Sequence, residues 1–391
     1  MKVRVIRRQV FVTLILFILL LGLHSLDGCA QTRVRNQIKI PDIKGYTTLK
    51  CDFHMHTVFS DGNVWPVIRV EEAWREGLDV ISITDHIEYQ PHKNDIPTNH
   101  TRPYEIAQSA AEQLGILLIR GTEITRDTPP GHHNAIFLND VNPLDTEIFQ
   151  DAVKAGTDQG AFIFYNHPGW KDPDGKAVWF PYQTELYDNG WLHGVEVVNG
   201  GDYYPLAHAW CLEKNLTFIG SSDAHNPIHF DYDYENGRHR PITLVFARNK
   251  SEKDIKEALF KRRTAVYWKN YLIGEEEYLK PLFNESIEVL NPEITITGKG
   301  TAYLQIKNTY EVPFELKSAG MPGSEYVTYP ASLTLYPEKT VLLAVMGKSA
   351  ELSGKKKILL QYTVENLLVA PETGLSEELS VRVTFIPADH N

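Results

Sequence analysis

The sequence predicts an α/β domain of parallel βα units, as an open sheet or a barrel, followed by a small antiparallel β-sandwich. Three observations carry this. From Tyr46 to Lys269, short apolar runs alternate with amphipathic segments of helical length. Beyond Pro292 the pattern changes to brief alternating runs punctuated by turn residues. At 391 residues the chain is also longer than one typical core, so a large domain with a smaller companion is expected.

The N-terminus comes first. Lys2, Arg4, Arg7 and Arg8 precede an apolar run from Val10 to Leu23, which leads into Leu26-Asp27-Gly28-Cys29. This is the layout of an export signal over residues 1–30, and the run is short for a membrane span. Leu-x-Gly-Cys resembles a lipobox, in which Cys29 would carry a lipid anchor. Ordinary cleavage after Ala30 is the alternative. Either route places the mature protein outside the cytoplasm, in a bacterial periplasm or as an outer-membrane lipoprotein. Two further cysteines, Cys51 and Cys211, form no framework and read as buried thiols.

Within the first domain, 46–285, strands are expected at Leu49–His54, Asp79–Thr84, Ile116–Gly121, Asn134–Leu138, Ala161–Tyr165, Gly194–Val198, Leu216–Gly220 and Thr243–Ala247. Helices are expected at Val64–Glu76, Arg102–Leu114, Thr146–Gln159, Tyr204–Lys214 and Glu252–Lys261. No glycine-rich dinucleotide or P-loop pattern follows a strand. The second domain, 292–391, has runs at 293–297, 302–306, 332–335, 356–363 and 379–386, and carries no chemistry-bearing constellation. A packing appendage is its default role, and a ligand- or partner-binding module the other.

Charge narrows the substrate. The formal net charge is -11, and residues 1–28 contribute a positive share, so the remainder is more acidic still. Long nucleic acid is held mainly through Lys and Arg on phosphates, so an acidic surface disfavours it and favours a small anion captured locally.

Chemistry collects at the strand ends. The first ends in His54-Met55-His56, with Asp61 in the loop beyond, and residues i and i+2 of a strand share a face. An isolated His-x-His would most simply be a pair of core or surface histidines. Here the other strand ends supply Asp85-His86, Thr122-Glu123, Gly131-His132-His133, Asn166-His167-Pro168 and Asp223-Ala224-His225. In barrels of parallel strands, C-terminal ends converge on one mouth. Imidazole and carboxylate without thiolate suit Mn, Zn or Fe.

The ordered set HMHTVFSDG, SITDH, GTEIT, GHHN, NHPGW and SSDAH resembles the motifs of the polymerase and histidinol phosphatase (PHP) superfamily. With its leader and trailing β-domain, the chain is most similar to exported bacterial Sb-PDE-type phosphodiesterases of that group. The resemblance implies a distorted (β/α)7 TIM-like barrel and hydrolysis of phosphoesters with two or three divalent ions. It implies one ion on His54, His56, Glu123 and Asp223. A second would sit on Glu123, His132 and His167, with Glu123 bridging, and a third on Asp61, His86 and His225. Some members carry His where this chain has Asp61. The same resemblance points to Glu123, Asp223 and His225 as the catalytic residues. Two ions about 3.5–4 Å apart can share a water, depress its pKa and present hydroxide in line with phosphorus. Charge on the non-bridging oxygens is neutralised by the same ions.

Weaker expectations surround this set. His133 would point away from His132 if the segment is extended. Glu196 is suited to orienting a ligating imidazole, or to a buried structural pair. Arg238 and Arg240 before the last strand could clamp a phosphate, against the alternative of a solvated basic loop. Trp170 and Tyr89 could wall a pocket, although packing is the default for each. Since fold and metals do not fix the substrate, a lactonase or amidohydrolase and a non-catalytic metal-binding surface protein remain the alternative functions.

Overall fold

The computed structural model describes residues 34–233, 237–318 and 325–388. The expected export signal and Cys29 lie outside the described residues. Among the described residues, no helix is long and apolar enough to cross a membrane. From Asn36 onward the chain forms one compact unit.

The barrel wall is built from β1 (Thr47–Asp52), β2 (Val80–Ile83), β3 (Leu117–Ile124), β4 (His133–Ile136), β5 (Phe162–Tyr165), β6 (Gly194–Asn199), a short β7 (Asp202–Tyr203), β8 (Thr217–Ser221) and β9 (Ile242–Ala247). β1, β2 and β3 pair in parallel, as do β5 with β6 and β6 with β8. β4 runs antiparallel to both β3 and β5, and β9 runs antiparallel to β1. These reversals make the barrel a distorted one. Between β8 and β9, Thr243 Oγ1 donates to Gly220 O (2.8 Å) and accepts from Gly220 N (2.9 Å), joining the last gap.

Helices cover the wall. α1 (Pro66–Arg75) buries Val70 and Ala73, and α2 (Arg102–Leu114) buries Ala107 and Ala111 at helical spacing. α2 ends on Gly115 in the left-handed conformation, φ 67°. α3 (Phe149–Asp158), α4 (Pro181–Asp188) and α5 (Pro205–Lys214) follow, then the short α6 (Ile228–Asp231) and α7 (Glu252–Phe260). Proline in the first turn of α1, α2, α4 and α5 marks their starts, because its missing N–H has no helical partner there. The barrel interior is filled by Leu49, Cys51, Phe53, Phe162, Phe164, Ile219 and Val245, which form its closed end. Cys51 and Cys211 are both free and buried.

Past β9, the strands β10 (Thr264–Trp268) and β11 (Tyr271–Gly274) form a tight hairpin, and α8 (Glu276–Ser286) leads to the sandwich. One sandwich sheet joins β12 (Ile287–Val289), β14 (Thr301–Asn308), β18 (Thr340–Gly347) and β16 (Val327–Thr328). The other contains β13 (Glu293–Thr297), β15 (Phe314–Lys317), β17 (Ser332–Leu335), β19 (Gly354–Ala370) and β20 (Thr373–Ile386). Strict alternation of buried and exposed residues along β13, β14 and β20 places one face of each in the core. Pairing is antiparallel apart from β13 with β20. β19 also pairs in parallel with β11, through Leu272–Leu367 and Ile273–Leu368, so barrel and sandwich share a continuous sheet.

Candidate metal centre

Beyond β1 the backbone stays extended and is held on both sides. His56 N donates to Ala224 O (2.9 Å), Asp223 N to His54 O (2.9 Å) and Thr84 N to Met55 O (2.9 Å). His54 and His56 therefore face inward while Met55 packs into the outer core. The following loop turns back so tightly that a Cβ on Gly62 would lie 2.6 Å from His56 C, which is how Asp61 returns over His56. Arg69, buried in α1, donates to His56 O, Ala224 O and Asn226 O, each at 2.8 Å, and clamps two ligand-bearing segments together.

All nine residues converge. His54 Nε2 lies 3.1 Å from both His56 Nε2 and Asp223 Oδ1. His56 Nε2 is 3.0 Å from Asp223 Oδ1. Glu123 spans two groups of imidazoles. Its Oε1 faces His132 Nδ1 (3.0 Å), His54 Nε2 (3.6 Å) and His167 Nε2 (3.6 Å). Its Oε2 faces His86 Nδ1 (2.6 Å) and His56 Nε2 (3.6 Å). Asp61 Oδ1 meets His225 Nε2 at 3.2 Å and His86 Nε2 at 3.4 Å. Ligands roughly 2.0–2.2 Å from one ion lie about 3.0–3.5 Å from each other, so these spacings suit coordination.

The buried oxygens Asp61 Oδ1 and Glu123 Oε2 have no hydrogen-bond partner despite the nitrogens around them. Acceptors left over in this way fit divalent cations. Four overlapping groups, His56–Asp61–His86–His225, His54–His167–Asp223, His54–His56–Glu123 and His86–Glu123–His132, could each hold an ion.

Electrostatics follow from crowding acid and base out of water. Burial opposes charge on His86, but Glu123 and Asp61 outweigh it and lift the imidazole to about 10. Burial also opposes charge on His54, where Asp223, Glu196 and Glu123 again win and raise it well above its usual value. Burial and repulsion from His86 and His225 depress His56 to about 3. Glu123 and Asp223 are held far below the usual carboxylate range, the imidazoles overriding burial. Protons and metal ions thus compete for the same atoms.

A surrounding shell fixes the ligands. Glu196 Oε1 accepts from His54 Nδ1 (2.8 Å), leaving Nε2 for the centre, and Oε2 accepts from His167 N (2.7 Å). Asp85 accepts from Thr57 N, Thr57 Oγ1 and Ser60 Oγ, each at 2.6 Å, with Ser60 Oγ 3.3 Å from His56 Nδ1. Asn166 donates to Glu123 Oε1 (2.8 Å), and His225 Nδ1 donates to Asp223 O (2.7 Å). His167 and Asp223 have φ of 26° and 52°, a left-handed backbone that costs on the order of 1–3 kcal/mol each. Both depart from strand geometry where their side chains turn into the mouth.

Two expectations are corrected. Arg240 does not reach the mouth. It is 1 % exposed, with Nε 2.7 Å from Glu76 Oε2 and Nη1 3.0 Å from Asp52 Oδ2. Asp52 in turn accepts from His54 N (3.3 Å), Ser222 N (3.2 Å) and Ser222 Oγ (2.5 Å), so the guanidinium sits behind the ligands. Arg238 is exposed, pairs with Asp233 (3.2 Å) and does not line the mouth. The cations that do line it are Arg126 and Lys171. Arg126 is engaged by Glu88 and by Thr146 O (2.7 Å). Lys171 Nζ lies 4.0 Å over the Trp170 ring.

His133 packs on Tyr165 and Phe149, facing away from the centre, and burial lowers it to about 3. His132 is the member of that pair at the mouth. Trp170 and Tyr89 are exposed and line the mouth instead of packing inside. The motifs contain Asp85 and Asn166 but do not reveal that they hold the ligands from behind, and Arg69, Lys171 and Arg126 lie outside the motif reading. Their signals were adjacency to the motifs and, for Arg69, a cation three residues before Glu72 on the buried face of α1.

The mouth is a cavity of about 720 Å³. A second cavity of about 300 Å³ adjoins it, walled by Pro168, Phe180 and Tyr165. Both are lined by His132, His167, Trp170 and Lys171, so those four residues stand between them.

A solved two-domain protein from Bacteroides vulgatus, containing a predicted PHP-like metal-dependent phosphoesterase, is 46 % identical to this chain. The match covers 89 % of this chain and 99 % of that one, with a TM-score of 0.84. The chain belongs to the PHP-like metal-dependent phosphoesterases. An Ig-like domain family matches residues 287–380 of this PHP-like chain. Weaker structural likeness extends to a proposed metal-dependent phosphoesterase from Bifidobacterium adolescentis, at 18 % identity, covering 54 % of this chain and 96 % of that one, TM-score 0.38. An amidohydrolase from Chromobacterium violaceum is 15 % identical over 45 % of this chain and 88 % of its own, TM-score 0.35. No protein of curated function matches the sequence.

Proposed function

We propose that this PHP-like hydrolase is a phosphodiesterase acting outside the cytoplasm on a small phosphoester. The observation that carries the diester reading is the pair of cavities, about 720 and 300 Å³, meeting at the ligand cluster. A diester has two substituents on phosphorus, and each cavity offers room for one.

When bound, the ions supply charge to the phosphoryl oxygens and a water of depressed pKa. His54, His56, Glu123 and Asp223 would hold the first, Glu123, His132 and His167 the second, and Asp61, His86 and His225 the third. Glu123 stays ionised, with Oε1 facing His54, His132 and His167 and Oε2 facing His56 and His86. Glu196 sets the His54 tautomer, and the Asp223 carbonyl leaves His225 Nε2 directed at the mouth. Lys171 stands where a non-reacting phosphate oxygen or substituent would pass. Trp170 shields the centre from bulk water on the side of the smaller cavity.

Mn, Zn and Fe all suit the donor set. The charged leader and Leu26-Asp27-Gly28-Cys29 support export and a lipid anchor at Cys29, which globomycin-sensitive processing and radiolabelled palmitate would test. The signal-free protein, reconstituted with Mn or Zn, should hydrolyse bis(p-nitrophenyl) phosphate, and Asp223→Asn or Glu123→Gln should abolish this. Activity surviving both substitutions, or turnover of lactones with every phosphoester inert, would overturn the reading.

A further inference from the structure

The seam between barrel and sandwich holds another open cavity, of about 680 Å³, away from the ligand cluster. Its floor is aromatic. Trp268 and Tyr271 are directly opposed at the tip of the β10–β11 hairpin, so their side chains share a face. Their ring centroids are 6.3 Å apart and their planes inclined by 36°. Tyr203 extends the row, 6.3 Å from Trp268 at 32°.

The row is rigidly held. Trp268 Nε1 donates to Gly200 O (3.2 Å). Tyr203 Oη bonds His208 Nδ1 (2.8 Å), and Asn366 of the sandwich donates to Asn270 O in the hairpin turn (2.6 Å). The sandwich contributes the facing wall, including Thr363, Glu365 and Glu372. Folding thus fixes three rings along a cleft of ligand-binding size, with Lys269 Nζ lying 3.8 Å over the Trp268 ring as a side chain that a ligand would displace.

The polar lining selects the occupant. Lys269 also lines the groove and Lys317 pairs with Glu365 at 3.0 Å, but Glu372 and Glu365 would still face the phosphates of a nucleic acid strand. An apolar peptide would strip water from those carboxylates without replacing their hydrogen bonds. A saccharide presents flat C–H faces to the rings and hydroxyl donors to the carboxylates. We propose that this groove binds a saccharide.

The groove adjoins the mouth. Asn199, Asp202 and Tyr204 line the mouth, whereas Tyr203 and Pro205 line the groove, so one short segment is the wall of both. A glycan lying along the rings would pass over that segment to the ligand cluster. Resting on the phosphodiesterase reading, this makes the substrate class a phosphodiester carried on a saccharide.

The test titrates maltohexaose, cellohexaose, mannohexaose and chitohexaose into the metal-reconstituted protein, with tryptophan fluorescence and calorimetry as readouts. At least one should bind at millimolar concentration or below. Tyr271→Ala and Trp268→Phe should each weaken it about tenfold or more, with bis(p-nitrophenyl) phosphate hydrolysis changed less than about twofold. Tyr271 is exposed at the hairpin tip, so its truncation leaves the fold intact. Absence of binding by all four sugars, or binding unchanged in both variants, overturns the proposal. Saccharide binding by a protein that hydrolyses no phosphodiester would overturn the phosphodiesterase reading and leave the groove assignment standing.

Discussion

Arg240→Met separates the structural account of this guanidinium from the substrate-binding role that its sequence position suggested. Arg240 is 1 % exposed and is paired with two carboxylates, Glu76 at 2.7 Å and Asp52 at 3.0 Å. Methionine approximates the stem and removes the charge, leaving both carboxylates buried without their cation. Glu76 is also the C-cap of α1, where a negative charge opposes the helix dipole. Removing one partner of such a pair costs about 3–5 kcal/mol. Urea denaturation should register that loss. KM for bis(p-nitrophenyl) phosphate should move less than about twofold, because the side chain touches no part of the mouth. Had Arg240 held a phosphate through charged hydrogen bonds worth about 1.5–3 kcal/mol, KM would rise roughly 10- to 150-fold. A variant of unchanged stability whose KM rises at least tenfold would refute this account.

Glu196→Gln keeps the shape but removes the charge that His54 Nδ1 donates to, and metal affinity should fall about 10- to 100-fold by competition with a chelating dye; unchanged affinity would remove Glu196 from the positioning shell. Metal loading at pH 8 should release at least about one proton per protein, read from the buffer dependence of the binding enthalpy, because His86 titrates near 10 in the metal-free cluster. In that metal-free state, the raised His86 stabilises the fold fully below its ordinary pKa of about 6.5, a contribution lost as pH climbs through about 10. Chelated protein should therefore melt lower at pH 10 than at pH 7 once other titrations are matched with a His86→Gln control, and an identical pH dependence in the two would count against it.

Much of the centre was legible because its residues are local to strand ends. His54 and His56 share a face by strand period alone, and Asp85-His86 or Asp223-Ala224-His225 each follow an apolar run. What could not be read were the partners of residues distant in sequence. Arg240 precedes a strand as a phosphate-binding residue might, and its fate is decided by Asp52 and Glu76, more than 160 positions earlier. The reversal of β4 is implied by the short connection before it. Only residues 125–132 separate it from β3, too few for the crossover that parallel strands require. The β10–β11 hairpin was missed because its turn, Lys269-Asn270, lacks the glycine that usually marks one; Lys269 adopts φ 54° instead.

The pairing of β11 with β19 bears on whether the two parts of this protein can be parted. Leu272 and Ile273 are buried, and their strand has β10 on one side and β19 on the other. A barrel cut free after α8 would present that second side as an open edge, the template on which chains aggregate. The Ig-like segment is thus the cover of a sticky border as well as a neighbour. Truncation would leave an association-prone hydrolase, and recombination between relatives should keep these two halves together.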